Sequence, residues 1–185
     1  AISAGTFQVP IWSAVTDGGV GGVQYFAEYS TSATFAVVIA NSGWTTNTFW
    51  IVGGLSDGVT YFFHVKSRDS LFQESAFSSA VSSRQDNAAP STPSMSAEPA
   101  FTAGTSNTVS WTTSVDAGIG GVAYDLQVAT NAAFIGASTV SGLAATSYTA
   151  SGLSNGTTYF YRVRARDAFG FTTAFSSATS SAQDN

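Results

Sequence analysis

Four aspartates and a single histidine are the side chains of this sequence best suited to chemistry. Asp17 and Asp116 open Gly-rich stretches, and Asp69 and Asp167 each follow a run of alternating apolar residues. Carboxylates carried to one end of a domain are hard oxygen donors of the kind calcium takes, which makes these four the candidate metal ligands. They have a second reading. Asp starts turns by accepting backbone N–H bonds, and Arg68 and Arg166 stand beside two of the four as ion-pair partners. Turns are the simpler reading, and no cofactor is expected. Asn155-Gly156-Thr157 is a glycosylation acceptor pattern, although an Asn before Gly also suits a tight turn.

Other chemistries fail on inventory. A nucleophile needs a base beside it, and the one histidine, His64, is expected on an outward strand position with no partner. With no Cys and one His, imidazole and thiolate metal sites are excluded. Glycoside cleavage needs two acids held about 5–9 Å apart across a cleft, whereas the acidic residues here fall in turns and linkers. Six basic residues against 11 acidic ones form no basic stripe, so nucleic acid is not an expected partner. No apolar run reaches the ~18 residues of a membrane-spanning helix. The first residues, Ala1-Ile-Ser-Ala-Gly-Thr6, do not read as an export signal, so an exported chain is expected to have lost it. The reading is of a protein that is not an enzyme.

What positions these residues is a repeat of about 98 residues. Trp12-Ser-Ala-Val-Thr-Asp17 through Tyr25 aligns with Trp111-Thr-Thr-Ser-Val-Asp116 through Tyr124. Phe35 falls on Phe134 and Ser42-Gly43 on Ser141-Gly142, after which one extra residue in the first copy shifts the register. Gly54-Leu55-Ser-Asp-Gly58-Val-Thr-Tyr61 then meets Gly152-Leu153-Ser-Asn-Gly156-Thr-Thr-Tyr159. Ala88-Ala-Pro90-Ser-Thr-Pro93 reads as a short stiff linker, which sets domains at 1–87 and 88–185.

Apolar residues recur at every second position, as in Tyr124, Leu126, Val128 and again in Tyr159, Tyr161, Val163. Period two means half-buried strands, and Asp/Asn-Gly punctuation between them predicts an all-β sandwich in each copy. The expected core is Trp12, Tyr25 and Tyr61 in the first copy, and Trp111, Tyr124, Leu153 and Tyr159 in the second.

These residues resemble the fibronectin type III family, an immunoglobulin-like β-sandwich. The resemblance is carried by the early Trp, the Tyr opening the third strand, and Leu153-Ser-Asn-Gly156-Thr-Thr-Tyr159. It implies that Tyr61 and Tyr159 form corners, each hydroxyl bonding to upstream backbone. The wording Tyr124-Asp-Leu-Gln-Val-Ala-Thr-Asn is similar to bacterial and archaeal members from extracellular proteins. Arg-Gly-Asp is absent, so the resemblance does not imply integrin binding.

The second copy begins with Ala88–Pro99, which has no counterpart ahead of Ala1, so the first sandwich is expected to lack its N-terminal edge strand. An open edge templates another strand. Phe26 and Phe62 at outward positions, with Trp44, Phe49 and Trp50 nearby, are the interface candidates. The first functional expectation is therefore a structural protein of the cell exterior, a filament or surface-assembly subunit whose partners are copies of itself. The alternative is a spacer or carbohydrate-associated pair of modules within a larger secreted enzyme or adhesin, with neighbouring domains as partners.

Overall fold

The computed structural model describes residues 2–19, 21–118 and 120–184. It falls into two compact units, Ala1–Asn87 and Ala88–Asn185. Both are all-β among the described residues. Unit 1 contains β1 (Ile2–Ala4), β2 (Phe7–Gln8), β3 (Gln24–Ser30), β4 (Ala40–Thr45), β5 (Val52–Gly53), β6 (Thr60–Arg68) and β7 (Val81–Asp86). Unit 2 contains β8 (Phe101–Ala103), β9 (Ser106–Ser110), β10 (Ala123–Ala129), β11 (Ser138–Leu143), β12 (Ser147–Ser151), β13 (Thr158–Arg166) and β14 (Thr179–Asp184).

In unit 2 the large sheet runs β11-β10-β13-β14-β8 and faces the pair β12-β9. Unit 1 repeats this as β4-β3-β6-β7-β1 facing β2-β5. The short strands β1 and β8 lie parallel to the last strand of their units, and the other pairings are antiparallel. Alternation decides which residues go inside. Leu126, Tyr161, Val163 and Ala165 are fully buried, whereas Arg162, Arg164 and Arg166 between them stay on the outer face. Nine buried residues around Trp111 and Leu126 form the core of unit 2.

The core of unit 1 is smaller: Tyr29, Val52, Leu55, Tyr61 and Phe63. Tyr29 meets Trp50, Tyr61 and Phe63 at ring-centroid distances of 5.7, 5.7 and 5.9 Å, and three of the five buried residues are aromatic, against three of nine in unit 2. The one-residue shift in the repeat sits just after Gly43 and Gly142, both at positive φ. By the next shared contact, Trp12 N–H to Thr48 and Trp111 N–H to Thr146, the offset has been absorbed in the loop.

Burial raises the pKa of Tyr161 above its ordinary value, opposed in part by Asn107, and burial with the neighbouring Tyr61 does the same for Tyr29. A raised folded-state pKa means that the unfolded chain releases its protons first. Stability is therefore intact below pH about 10 and is lost as the pH rises through the raised values. Urea midpoints measured at pH 8, 10 and 11.5 are expected to hold between the first two and fall at the third.

Candidate functional site

The two units differ most along the edge of β2 and the residues that follow it. In unit 2 the leading segment 91–98 lies against the equivalent edge, with Met95 bridged to Trp111. Ser96 N–H donates to the Ser110 carbonyl, Thr112 N–H to Ser94 and Ser91 N–H to Val115, at 2.8–2.9 Å. Pro93 is fully buried there, and Met95 packs on the core. In unit 1 no described residue takes this place. Pro10, Ile11 and Trp12 line three adjoining cavities of about 270, 300 and 260 Å³ that run toward Val65, Ser78 and Val81. Ile11 is 79% exposed and Val81 64%.

This corrects one core assignment: Trp12 touches Tyr25 at 5.9 Å but is only half-buried, and among the described residues none takes the place that Met95 has beside Trp111. Tyr159 is likewise half-buried, packed at the rim of its core. The other five, Tyr25, Tyr61, Trp111, Tyr124 and Leu153, are buried.

The outer face of the β3-β4-β6 sheet carries a ladder of rings and cations. Phe26 and Trp44 meet at 5.4 Å, and Lys66 Nζ lies 5.4 Å from the first ring and 5.5 Å from the second. Arg68 stacks on Trp44 at 4.1 Å and on Phe72 at 4.8 Å. His64 is clamped between Phe35 (3.5 Å) and Phe77 (3.9 Å), and its Nε2 is 2.7 Å from Glu28. The expectation of an isolated histidine is thus overturned. Pairing across β3 and β6 sets Glu28 opposite it, a partner that a local reading of either strand does not supply. Unit 2 builds the same clamp with Arg162 between Phe134 (4.0 Å) and Phe175 (4.5 Å). Phe35 and Phe134 both hold left-handed backbone, at φ 53° and 57°. That conformation is costly for a bulky residue, and it recurs because it aims the ring at the sheet.

The interface candidates therefore separate. Phe26 and Trp44 are engaged by cations, Phe62 is half-buried opposite Ser30 and Ser82, and Phe49 is 44% exposed beside Ile11. Trp50 is turned inward against Tyr29, because the chain bends between β4 and β5, and so is no surface group.

Among the acidic candidates, Asp17 and Asp69 of unit 1 line one shallow depression, with Asp17 exposed. In unit 2 the carboxylate oxygens of Asp116 and Asp167 approach within 4.8 Å. Asp69, Asp116 and Asp167 each cap a turn through Oδ1. The adjacent arginines pair elsewhere: Arg68 donates to Gln24, and Arg166 and Arg164 approach the buried Asp125 at 3.6 and 3.2 Å. Asp125 was not singled out from the sequence, where it reads as an outward strand residue. Only the neighbouring arginines of β13 signal its role. Asn155 is exposed in the turn before Gly156.

Residues 89–182 match the profile of the fibronectin type III domain. The chain belongs to the fibronectin type III family. Chitinase A1 of Niallia circulans is 36% identical over 178 residues, covering 91% of this chain and 22% of that protein. Exoglucanase B of Cellulomonas fimi is 33% identical over 177 residues, covering 91% and 15%. The fibronectin type III pair thus spans less than a quarter of the curated relatives it matches. The crystal structure of chicken CNTN1 FN1–FN3 domains aligns with a TM-score of 0.46 at 14% identity, covering all of this chain and 65% of that one.

The tyrosine corners of the family are present in both fibronectin type III units. Ser56 N–H donates to the Tyr61 hydroxyl at 3.0 Å and Ser154 N–H to Tyr159 at 3.1 Å. A second pair does the same at the other end of the sandwich: Val15 N–H to Tyr25 and Ser114 N–H to Tyr124, at 2.9 and 2.8 Å.

Proposed function

We propose that this chain is a non-catalytic spacer pair from a larger secreted polysaccharide-degrading protein. One observation carries the reading: two relatives match over 91% of the tandem, yet both are several times longer and are named for their enzyme activity. A stretch that recurs beside different activities, and forms small sandwiches with cores of their own, supplies distance and rigidity between other domains. The carboxylates support a non-catalytic role, since Asp116 and Asp167 each accept turn N–H groups through Oδ1 and Asp125 pairs with arginines. An extracellular location follows from the same kinship.

Sedimentation equilibrium at concentrations up to about 0.5 mM tests the reading, alongside assays on chitin and soluble glucans. A monomer without hydrolytic activity is the expected result. Hydrolysis, or growth into ordered particles, overturns it. The second outcome favours the other reading, a filament or surface-assembly subunit completed by strand addition.

A further inference from the structure

We propose that the outer face of unit 1 binds a neutral polysaccharide chain through Trp44, Phe72 and the cations beside them, a choice of ligand class that rests on the kinship with polysaccharide-degrading proteins proposed above. Asp69-Ser-Leu-Phe72-Gln73 and Asp167-Ala-Phe-Gly170-Phe171 form the same turn. In each, the Asp N–H donates to the carbonyl four residues on at 3.1 Å, and its Oδ1 accepts the N–H groups two and four residues on. The left-handed position of this turn is Gly170 in unit 2, at φ 92°, and Phe72 in unit 1, at φ 63°.

A bulky residue in left-handed backbone is strained, whereas glycine adopts it freely. Burial does not offset the strain, because Phe72 is 69% exposed. Nor does its contact with Arg68 at 4.8 Å require it, since Arg166 holds the equivalent place in unit 2 with no ring over it among the described residues. What the conformation does is hold an apolar ring in water beside Trp44, whose own ring lies 4.1 Å from the same guanidinium. Phe26 and Lys66 extend the strip from Trp44, at 5.4 and 5.5 Å. Gln24 and Glu74 hold the two cations at its edge, accepting from Arg68 at 2.9 Å and from Lys66 at 2.6 Å.

Ring faces interleaved with fixed donors and acceptors complement a pyranose, which offers an apolar C–H face and a rim of hydroxyls. With Lys66 already paired to Glu74, the strip suits a neutral chain better than an anionic one. Unit 2 is the internal control. The positions of Phe26, Lys66, Arg68 and Phe72 are held there by Asp125, Arg164, Arg166 and Gly170, an ionic cluster in which neither ring is present. One site per chain, on unit 1, is therefore expected.

The test is depletion of the full chain from solution by chitin and by cellulose, paired with calorimetric titration of chitohexaose and cellohexaose. Retention on at least one of the two solids is expected, with a Kd of about 10⁻⁴ M for its hexasaccharide. Phe72→Gly puts the residue of unit 2 into the turn and relieves its strain, so the unit 1 melting midpoint should stay within about 3 °C while binding weakens about tenfold. Trp44→Ala should weaken binding at least as much, and Phe169→Ala in unit 2 should leave it unchanged. A wild-type chain that neither solid retains overturns the proposal, and so does binding that Phe72→Gly leaves intact. Either result leaves the spacer reading standing, since that reading turns on hydrolysis and assembly.

Discussion

Replacing Trp111 with alanine is expected to lower the stability of unit 2 by about 3 kcal/mol, near the lower end of the 3–5 kcal/mol typical of large core aromatics. The side chain is 4% exposed, packs edge-on against Tyr124 at 5.7 Å, and is covered by Met95. The lower end is chosen because its indole N–H is buried without an acceptor, and truncation relieves that cost. Trp111→Phe, which keeps most of the ring and loses the N–H, should cost under about 1.5 kcal/mol. The equivalent Trp12→Ala in unit 1 should cost only about 1–2 kcal/mol, since its side chain is only partly buried and lines the groove. Calorimetry is the suitable measurement, because Trp111 is the one tryptophan of unit 2 and its removal takes the fluorescence signal with it. Equal losses for Trp12 and Trp111 would refute the asymmetry between the units.

That asymmetry also shows how far the sequence could be read. Strand period, the Gly-marked turns and the repeat itself are local or self-referential signals, and the sandwiches follow from them. Leu153-x-x-Gly-x-x-Tyr159 marks a corner because the turn needs Gly156 at φ 70° and the ring needs the core, both properties of a few adjacent residues. Trp12 is the counter-example: the repeat sets it level with Trp111, yet it is half-buried where Trp111, paired with Met95, is buried, a difference that the shared residue type does not show.

The outer faces were less legible still. Alternation assigns Phe26, His64 and Lys66 to an outward face, but says nothing about which rings meet which cations once three strands are paired. The clamp of Phe35 and Phe77 on His64 needs two loops to fold over β6, one of them through a left-handed Phe that no propensity favours. The swap of His64 for Arg162 between two phenylalanines preserves the clamp while changing its chemistry from ring stacking to cation–π contact. Aromatics in such number outside a core therefore do not by themselves mark a binding surface, since several are already partnered within their own unit.

Attaching the sequence Ala88–Pro99 directly ahead of Ala1 is expected to stabilise unit 1 by about 2 kcal/mol. Ile2 of β1 pairs with Arg84 as Phe101 of β8 pairs with Ala182, so the graft enters unit 1 in the register it has in unit 2. Its methionine would cover Trp12 as Met95 covers Trp111, and its backbone would pair along the edge at Ile11 and Ser13. Covering Trp12 and pairing the edge favour the graft, and the ordering of the added residues, three of them prolines already restricted in φ, opposes it. A rise of about 8–10 °C in the unit 1 melting midpoint is the corresponding signal, with the unit 2 midpoint unmoved. An Ile11→Lys change in the grafted protein should have little effect if Ile11 stays outward at the edge. A large loss there would mean that the strand enters in a shifted register, which turns alternate side chains to the other face. An unchanged unit 1 midpoint would show that the groove is too shallow to seat a strand, removing the physical basis for assembly through this edge.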